Sequence, residues 1–298
     1  MKFTWLTLSG NPHISDKTIT FTPQKDEDDE VIKFESQHSQ TLRSNYYFQG
    51  GEIEFDVMLS QPKDKIQLLL GTDGAEPLNV GINSNIAAYG IAKFINGKYE
   101  VLSSNGIGVV IEQNSWINVL IRCKGSDITM YINGVKVCHA SAYIHNSQIS
   151  LLYRGVGEAT IRNFSVKTEK PNAFIVMQFT DEYNTLYNEI IKPICEDYGF
   201  NVVRADNMYT NSLLIQDITS AIRKSSLVLA DITPDNPNVY YEVGFSHALE
   251  KPTILLCDRT RAKLPFDISS FRCIFYENSI SGKSKVEDVL KKHLDAIK

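Results

Sequence analysis

Along the first half of the chain, apolar and polar residues alternate one for one. Ile53, Phe55, Val57 and Leu59 share one side of an extended segment, and Glu52, Glu54, Asp56 and Met58 share the other. The pattern returns at Ile117, Val119, Ile121 and Cys123, and at Ile128, Met130 and Ile132. A period of two predicts strands with one face on a core. Asn96-Gly97, between Phe94 and Tyr99, and Asn133-Gly134, between Tyr131 and Val135, predict tight hairpin turns, because Asn and Gly tolerate the positive φ such turns need. Helical periodicity is absent here, so residues 1–168 are expected to form an antiparallel β-sandwich.

Past the polar stretch Glu169-Lys-Pro-Asn172 the period changes. Ala173 to Met177 is an unbroken apolar run, as in a strand buried on both faces. Tyr183, Tyr187, Ile190, Ile191, Ile194 and Cys195 then recur at helical spacing and stop before Gly199. Further strands are expected at 201–205, 227–230, 253–257 and 273–276, with helices at 213–222, 238–249 and 286–297. Strands alternating with helices predict a parallel, doubly wound sheet over residues 172–298. The expected whole is therefore two domains, a β-sandwich followed by an α/β domain.

Composition narrows the setting. A net charge of −5 over 298 residues leaves no electrostatic footprint for nucleic acid. Cys123, Cys138, Cys195, Cys257 and Cys273 are scattered and form no Cys-x-x-Cys, which argues against a disulfide framework or a zinc site and for a reducing, cytoplasmic setting. No run approaches a membrane span, and the N-terminal apolar stretch is too short for a signal peptide. The acidic run at 26–30 lacks the ligand spacing of a calcium loop and reads as a solvated loop. Ser281-Gly-Lys-Ser-Lys lacks the upstream glycine of a phosphate loop and reads as the lead-in to a helix. Trp116 is assigned to the core, and His247 to packing or the surface.

The candidate chemistry gathers at one edge of the second domain. Parallel strands share a carboxyl-terminal end, where open α/β sheets bind ligands. Gln178 and Phe179 follow the first of these strands, Asp206 and Tyr209 the second, and Asp231, Asn236, Asn238 and Glu242 the third; Asp217 lies in the first turns of a helix. Carboxylates crowded there would raise one another's pKa and so divide nucleophilic from acid–base work. Each residue also has a local explanation. Asp231 can brace its loop, Asn236 and Asn238 suit turns and helix caps, and Glu242 and Asp217 suit the positive end of a helix.

Two resemblances add to this reading. Gly51-Glu-Ile-Glu-Phe-Asp-Val, Ser115-Trp-Ile-Asn-Val-Leu-Ile-Arg, Ile128-Thr-Met-Tyr-Ile-Asn-Gly-Val and Ala159-Thr-Ile-Arg-Asn-Phe-Ser-Val resemble a concanavalin A-like, or laminin-G-like, jelly roll. Such domains bind glycans, bind proteins or build assemblies. Ala173-Phe-Ile-Val-Met-Gln-Phe, Ile218 to Thr233 and Asn236-Pro-Asn-Val-Tyr-Tyr-Glu-Val-Gly-Phe-Ser-His-Ala resemble the nucleoside 2-deoxyribosyltransferase-like family, related in fold to TIR domains. That resemblance implies a flavodoxin-like sheet that cleaves an N-glycosidic bond in a nucleotide, nucleoside or NAD-like substrate. Glu242 matches the family's nucleophile and Asp217 its acid–base partner. No metal or cofactor is implied, NAD or a nucleotide being substrate. The longer Asn236-Pro-Asn-Val-Tyr-Tyr loop is that of the TIR-like branch, often fused to sensor domains in bacteria, which implies a homo-oligomer and a role in anti-phage defence or stress signalling. Two other readings stay open: a non-enzymatic module that binds a nucleotide signal, and an oligomerising scaffold.

Overall fold

The computed structural model describes residues 3–23, 39–74, 76–84, 87–107, 111–207, 213–233, 235–261, 264, 271–277 and 279–297. The acidic run at 26–30 lies outside them. The chain divides into two compact units, Met1–Glu169 and Lys170–Lys298.

The first unit is built from two antiparallel sheets of seven described strands each. One runs in the order β1 (Trp5–Ser9), β4 (Gln40–Phe48), β13 (Ser147–Arg154), β6 (Lys65–Leu70), β7 (Leu78–Ile82), β8 (Tyr89–Ile95), β9 (Lys98–Asn105). The other runs β12 (Val135–Ser141), β11 (Asp127–Ile132), β10 (Ile117–Lys124), β5 (Gly51–Leu59), β14 (Ala159–Thr168), β3 (Thr18–Phe21), β2 (His13–Ile14). The alternation decides which side chains meet. Ile53, Phe55, Val57 and Leu59 are buried, and they pair across the sheet with Ile121, Val119 and Ile117 of β10 and with Ile161 and Ala159 of β14. Both Asn-Gly steps form the expected hairpins. Asn96 and Asn133 take φ values of 50° and 48°, and Gly97 and Gly134 take 79° and 78°. The turns set the registers Phe94↔Tyr99 and Ile132↔Val135.

One core assignment fails. Trp116 is 36% exposed, and the Arg162 guanidinium lies 3.8 Å from its ring centroid. Trp116 precedes β10 and so falls outside the strand alternation that drives its neighbours inward.

The second unit is a five-stranded parallel sheet in the order β16 (Asn201–Arg204), β15 (Asn172–Val176), β17 (Leu227–Asp231), β18 (Thr253–Asp258), β19 (Cys273–Tyr276). Alternate strand residues feed two cores. Ala173, Ile175, Leu227, Leu229, Ile254 and Leu256 pack against α1 (Asp181–Leu186), a widened turn (Tyr187–Ile191), α2 (Lys192–Asp197) and α5 (Ile280–Ile297). Phe174, Val176, Val228, Ala230, Leu255 and Cys257 pack against α3 (Leu214–Lys224) and α4 (Pro237–Ala248). The sheet is therefore doubly wound, with apolar strands because both faces are covered. Chain order reverses between β15 and β17, and that switch opens a crevice at the strands' carboxyl ends. Residues 281–285, expected as a lead-in, belong to α5 itself.

Candidate functional site

At the carboxyl ends of β15 and β16 the second unit holds a cavity of about 810 Å³. Its wall comes from the end of β15 and the residues beyond it (Ile175, Met177, Gln178, Phe179), from the end of β16 (Ala205, Asp206), and from α3 and α4. Among the described residues that line it there is no lysine or arginine.

Helix α4 supplies the polar side. Asn236 caps it, its Oδ1 accepting from the Asn238 N–H at 3.0 Å, and Pro237 occupies the first turn, where its missing N–H costs nothing. The cap sets the helical phase that turns Asn238, Tyr241 and Glu242 toward the cavity, at spacings of three and four. Glu242 lies in the second turn, beyond the short reach of the helix dipole. Its carboxyl is half-buried and makes no hydrogen bond or ion pair among the described residues; burial pushes it up to about 7. The cause is desolvation and not the neighbouring carboxylates that crowding would have required.

Asp206 lines the same cavity but is already engaged. Arg204 donates from Nε to its Oδ1 at 2.7 Å and from Nη2 to its Oδ2. The guanidinium is buried, bonded through Nη1 to Asn184 Oδ1 at 3.0 Å, and set 4.1 Å from the Tyr187 ring centroid and 5.2 Å from that of Phe179. Tyr187 opens the widened turn. Pro193 has no N–H to offer Glu189, and the Lys192 N–H reaches back five residues to the Tyr187 carbonyl.

The sequence-derived candidates thus separate. Gln178, Phe179, Asp206, Asn236, Asn238 and Glu242 share the cavity. Asp217 does not line it. It is half-buried on α3, whose contribution to the wall is Leu214, Ile215 and Ile218. Asp231 does not line it either. It is 2% exposed and accepts from the Tyr276 hydroxyl at 2.6 Å and the Thr233 N–H at 2.9 Å; burial, opposed by these two donors, carries it up to about 7. Asp231 braces its loop, as its local explanation allowed. Tyr209 lies outside the described residues. His247 is half-buried against Phe271, ring on ring at 4.3 Å, away from the wall.

Of the eight described wall residues that were not candidates, three are exposed. Leu214, Ile215 and Tyr241 are 62%, 47% and 53% exposed and line the cavity. Leu213-Leu214-Ile215 carried a signal, since three consecutive apolar residues at a helix start exceed what one buried stripe needs. Arg204, two residues before Asp206 at a strand end, carried another. Among the described residues no three His, Cys, Asp or Glu side chains gather as metal ligands, and no helix is long and apolar enough to cross a membrane.

The first unit has its own concavity. A groove of about 1100 Å³ opens where the edge strand β1 meets β3 and β14, with Phe3, Trp5 and Phe164 along it and Asp16, Lys17, Arg162 and Asn163 beside them. The rings pack edge to face, Trp5 against Phe164 at 5.1 Å.

No family model matches this chain. No curated protein matches it. Solved structures similar to part of this chain include a carbohydrate-binding module from Bacillus subtilis, at 14% identity over 54% of this chain and 92% of that one (TM-score 0.42). A protein of unknown function with a galectin-like fold, also from Bacillus subtilis, matches at 10% identity over 55% and 89% (TM-score 0.43). A β-glucanase from Bacillus licheniformis matches at 12% identity over 55% and 92% (TM-score 0.39).

Proposed function

We propose that the α/β unit cleaves an N-glycosidic bond, with Glu242 as the group that meets the anomeric carbon. The observation that carries this reading is the Glu242 carboxyl: half-buried, without a partner among the described residues, and lining the cavity at the strands' carboxyl ends. An oxocarbenium-like transition state gains from an anion held close to it in a poorly solvated site. Ionised Glu242 attacks or stabilises C1′ as the C1′–N bond breaks and its electron pair leaves with the base. Water then adds to C1′, displacing the Glu242 carboxylate where it had bonded there, and its proton passes to solvent.

The wall narrows the substrate. A purine or pyrimidine leaves as an anion and needs a proton from an acid. In the described wall Asp206 is bound to Arg204, and Asp217 stands outside the lining. A pyridinium base, as in NAD or nicotinamide riboside, leaves neutral and needs no acid. The reading therefore favours an NAD-like N-glycoside over nucleosides of the ordinary bases. By the same sequence resemblance it extends to anti-phage defence or stress signalling, with the sandwich as sensor or assembly unit.

The test is incubation of the purified protein, over a range of concentrations, with NAD, nicotinamide riboside, adenosine, inosine and AMP, following free base by chromatography. Nicotinamide release that disappears in Glu242→Gln and Glu242→Ala supports the reading. Release that survives in both variants removes Glu242 from the chemistry. Binding without release from any substrate favours the second reading, a non-catalytic module for a nucleotide-like ligand coupled to a glycan- or protein-binding sandwich. What favours that second reading is the position of Asp217, outside the wall.

A further inference from the structure

Asp206 is better placed to choose the sugar than to act on it. We infer that the Arg204–Asp206 pair forms an acceptor for the vicinal hydroxyls of a ribose, so that the cavity takes ribosides in preference to 2′-deoxyribosides. This rests on the proposed N-glycoside site and adds its sugar specificity. A carboxylate offers about four acceptor positions, two on each oxygen. Arg204 occupies one position on each oxygen with its Nε and Nη2. Among the described residues one position per oxygen is left, on a carboxylate whose side chain is 30% exposed at the cavity wall, and two adjacent acceptors match a 2′,3′-diol.

The same contacts stop Arg204 from serving a phosphate. Its side chain is 7% exposed, with Nη1 on Asn184 and the Tyr187 and Phe179 rings close by. It compensates the Asp206 charge and holds the plane of the carboxylate, while the described wall presents no cation of its own. Asp206 also follows the second strand of the α/β unit, the position from which an acid meets a ribose in dinucleotide folds. Arg204 is then a positioning residue and Asp206 the specificity-determining one.

The experiment compares nicotinamide riboside with its 2′-deoxy analogue in two ways: kcat/KM for the wild-type protein, and calorimetric binding to Glu242→Gln. The riboside is expected to be favoured by about 10- to 100-fold in both, the worth of hydrogen bonds to a charged acceptor. Asp206→Asn should bring the two ligands to within about threefold of each other by removing one of the paired acceptors. Arg204→Met should shrink the preference without reversing it. Because the readout is a ratio of two ligands on one protein, a general loss of activity does not mimic it, and the wild-type ratio needs no variant. Cleavage of both analogues at equal rates overturns this inference and leaves the cleavage reading intact. Diol-dependent binding without any cleavage does the opposite. Neither binding nor cleavage of either analogue overturns both.

Discussion

Two carboxyl groups in the α/β unit are carried by burial to about 7, and they are raised in different company. Asp231 has donors, Tyr276 and the Thr233 amide, and Glu242 has none among the described residues. For Glu242 the linkage has a definite sign. Its folded pKa lies above the ordinary glutamate value of 4.5, so the folded protein binds the extra proton between about 4.5 and 7. Stability from this group is full below that window and is lost as pH rises through it. Glu242→Gln removes the loss. At pH 8 the variant should be more stable than wild type by on the order of 1–3 kcal/mol, and at pH 4 the difference should vanish. Urea unfolding of both proteins at the two pH values measures this. An equal difference at pH 4 and pH 8 would mean that the carboxyl is not held in a desolvated site. Base release should follow the opposite course, rising with pH through about 7, because the ionised form serves the transition state. A group that costs stability where it is active is expected of a functional position and not of a structural acid.

At the scale of the element, α4 is a helix whose start matters more than its length. Asn236 sets the first turn, and the turn sets which residues face the cavity. The loop before it is held from one side by Arg261, which donates to the Ile232 carbonyl and to Asp235, and from the other by the Tyr240 hydroxyl, 2.6 Å from Asp235 Oδ1. Asp235 is largely exposed, so the ion pair itself adds little. The cap adds more. Asn236→Ala should cost about 1 kcal/mol, the usual worth of a helix N-cap, read from the urea midpoint. It should also raise KM for the cleaved substrate, since Asn236 itself lines the wall. A loss of stability with KM unchanged would confine Asn236 to capping. Elements of this kind were legible in the sequence as elements: the Asn-Gly hairpins, the paired burial along β5, the apolar strands of the parallel sheet. Their use was not. Asp217 and Leu214 lie in the first turns of the same helix, one read as a candidate acid and the other passed over, yet Leu214 is the one in the wall.

For the whole molecule, each unit carries its own hydrophobic core, one between the two antiparallel sheets and two on the faces of the parallel sheet. A unit with its own core is expected to fold alone. Residues 1–169 and 170–298 made separately should each unfold cooperatively, by circular dichroism, and nicotinamide release should stay with the second. The glycan-binding sandwich of the second reading would show, on binding its sugar, a change in Trp5 fluorescence that is lost in Trp5→Phe, because Trp5 lines the groove of the first unit. A fragment that is unfolded by itself, or a Trp5 signal unmoved by any of a panel of sugars, would count against this division of labour.

The sequence by itself determined the architecture, because periodicity is a local property. A period of two makes a one-sided strand, unbroken apolar runs make strands covered on both faces, and the switch between the two near residue 170 separates the units. It also brought out six of the cavity's residues, since strand ends and helix starts fall at one edge in any parallel sheet. What only the tertiary structure decided is partnership. Whether a carboxyl at that edge is free, braced or neutralised depends on groups distant in the chain. Tyr276 claims Asp231, while Asn184 and Tyr187 fix the arginine that claims Asp206. Among the described residues Glu242 is left without a partner. Helical phase decided the rest, turning Leu214 into the wall and leaving Asp217 out of it.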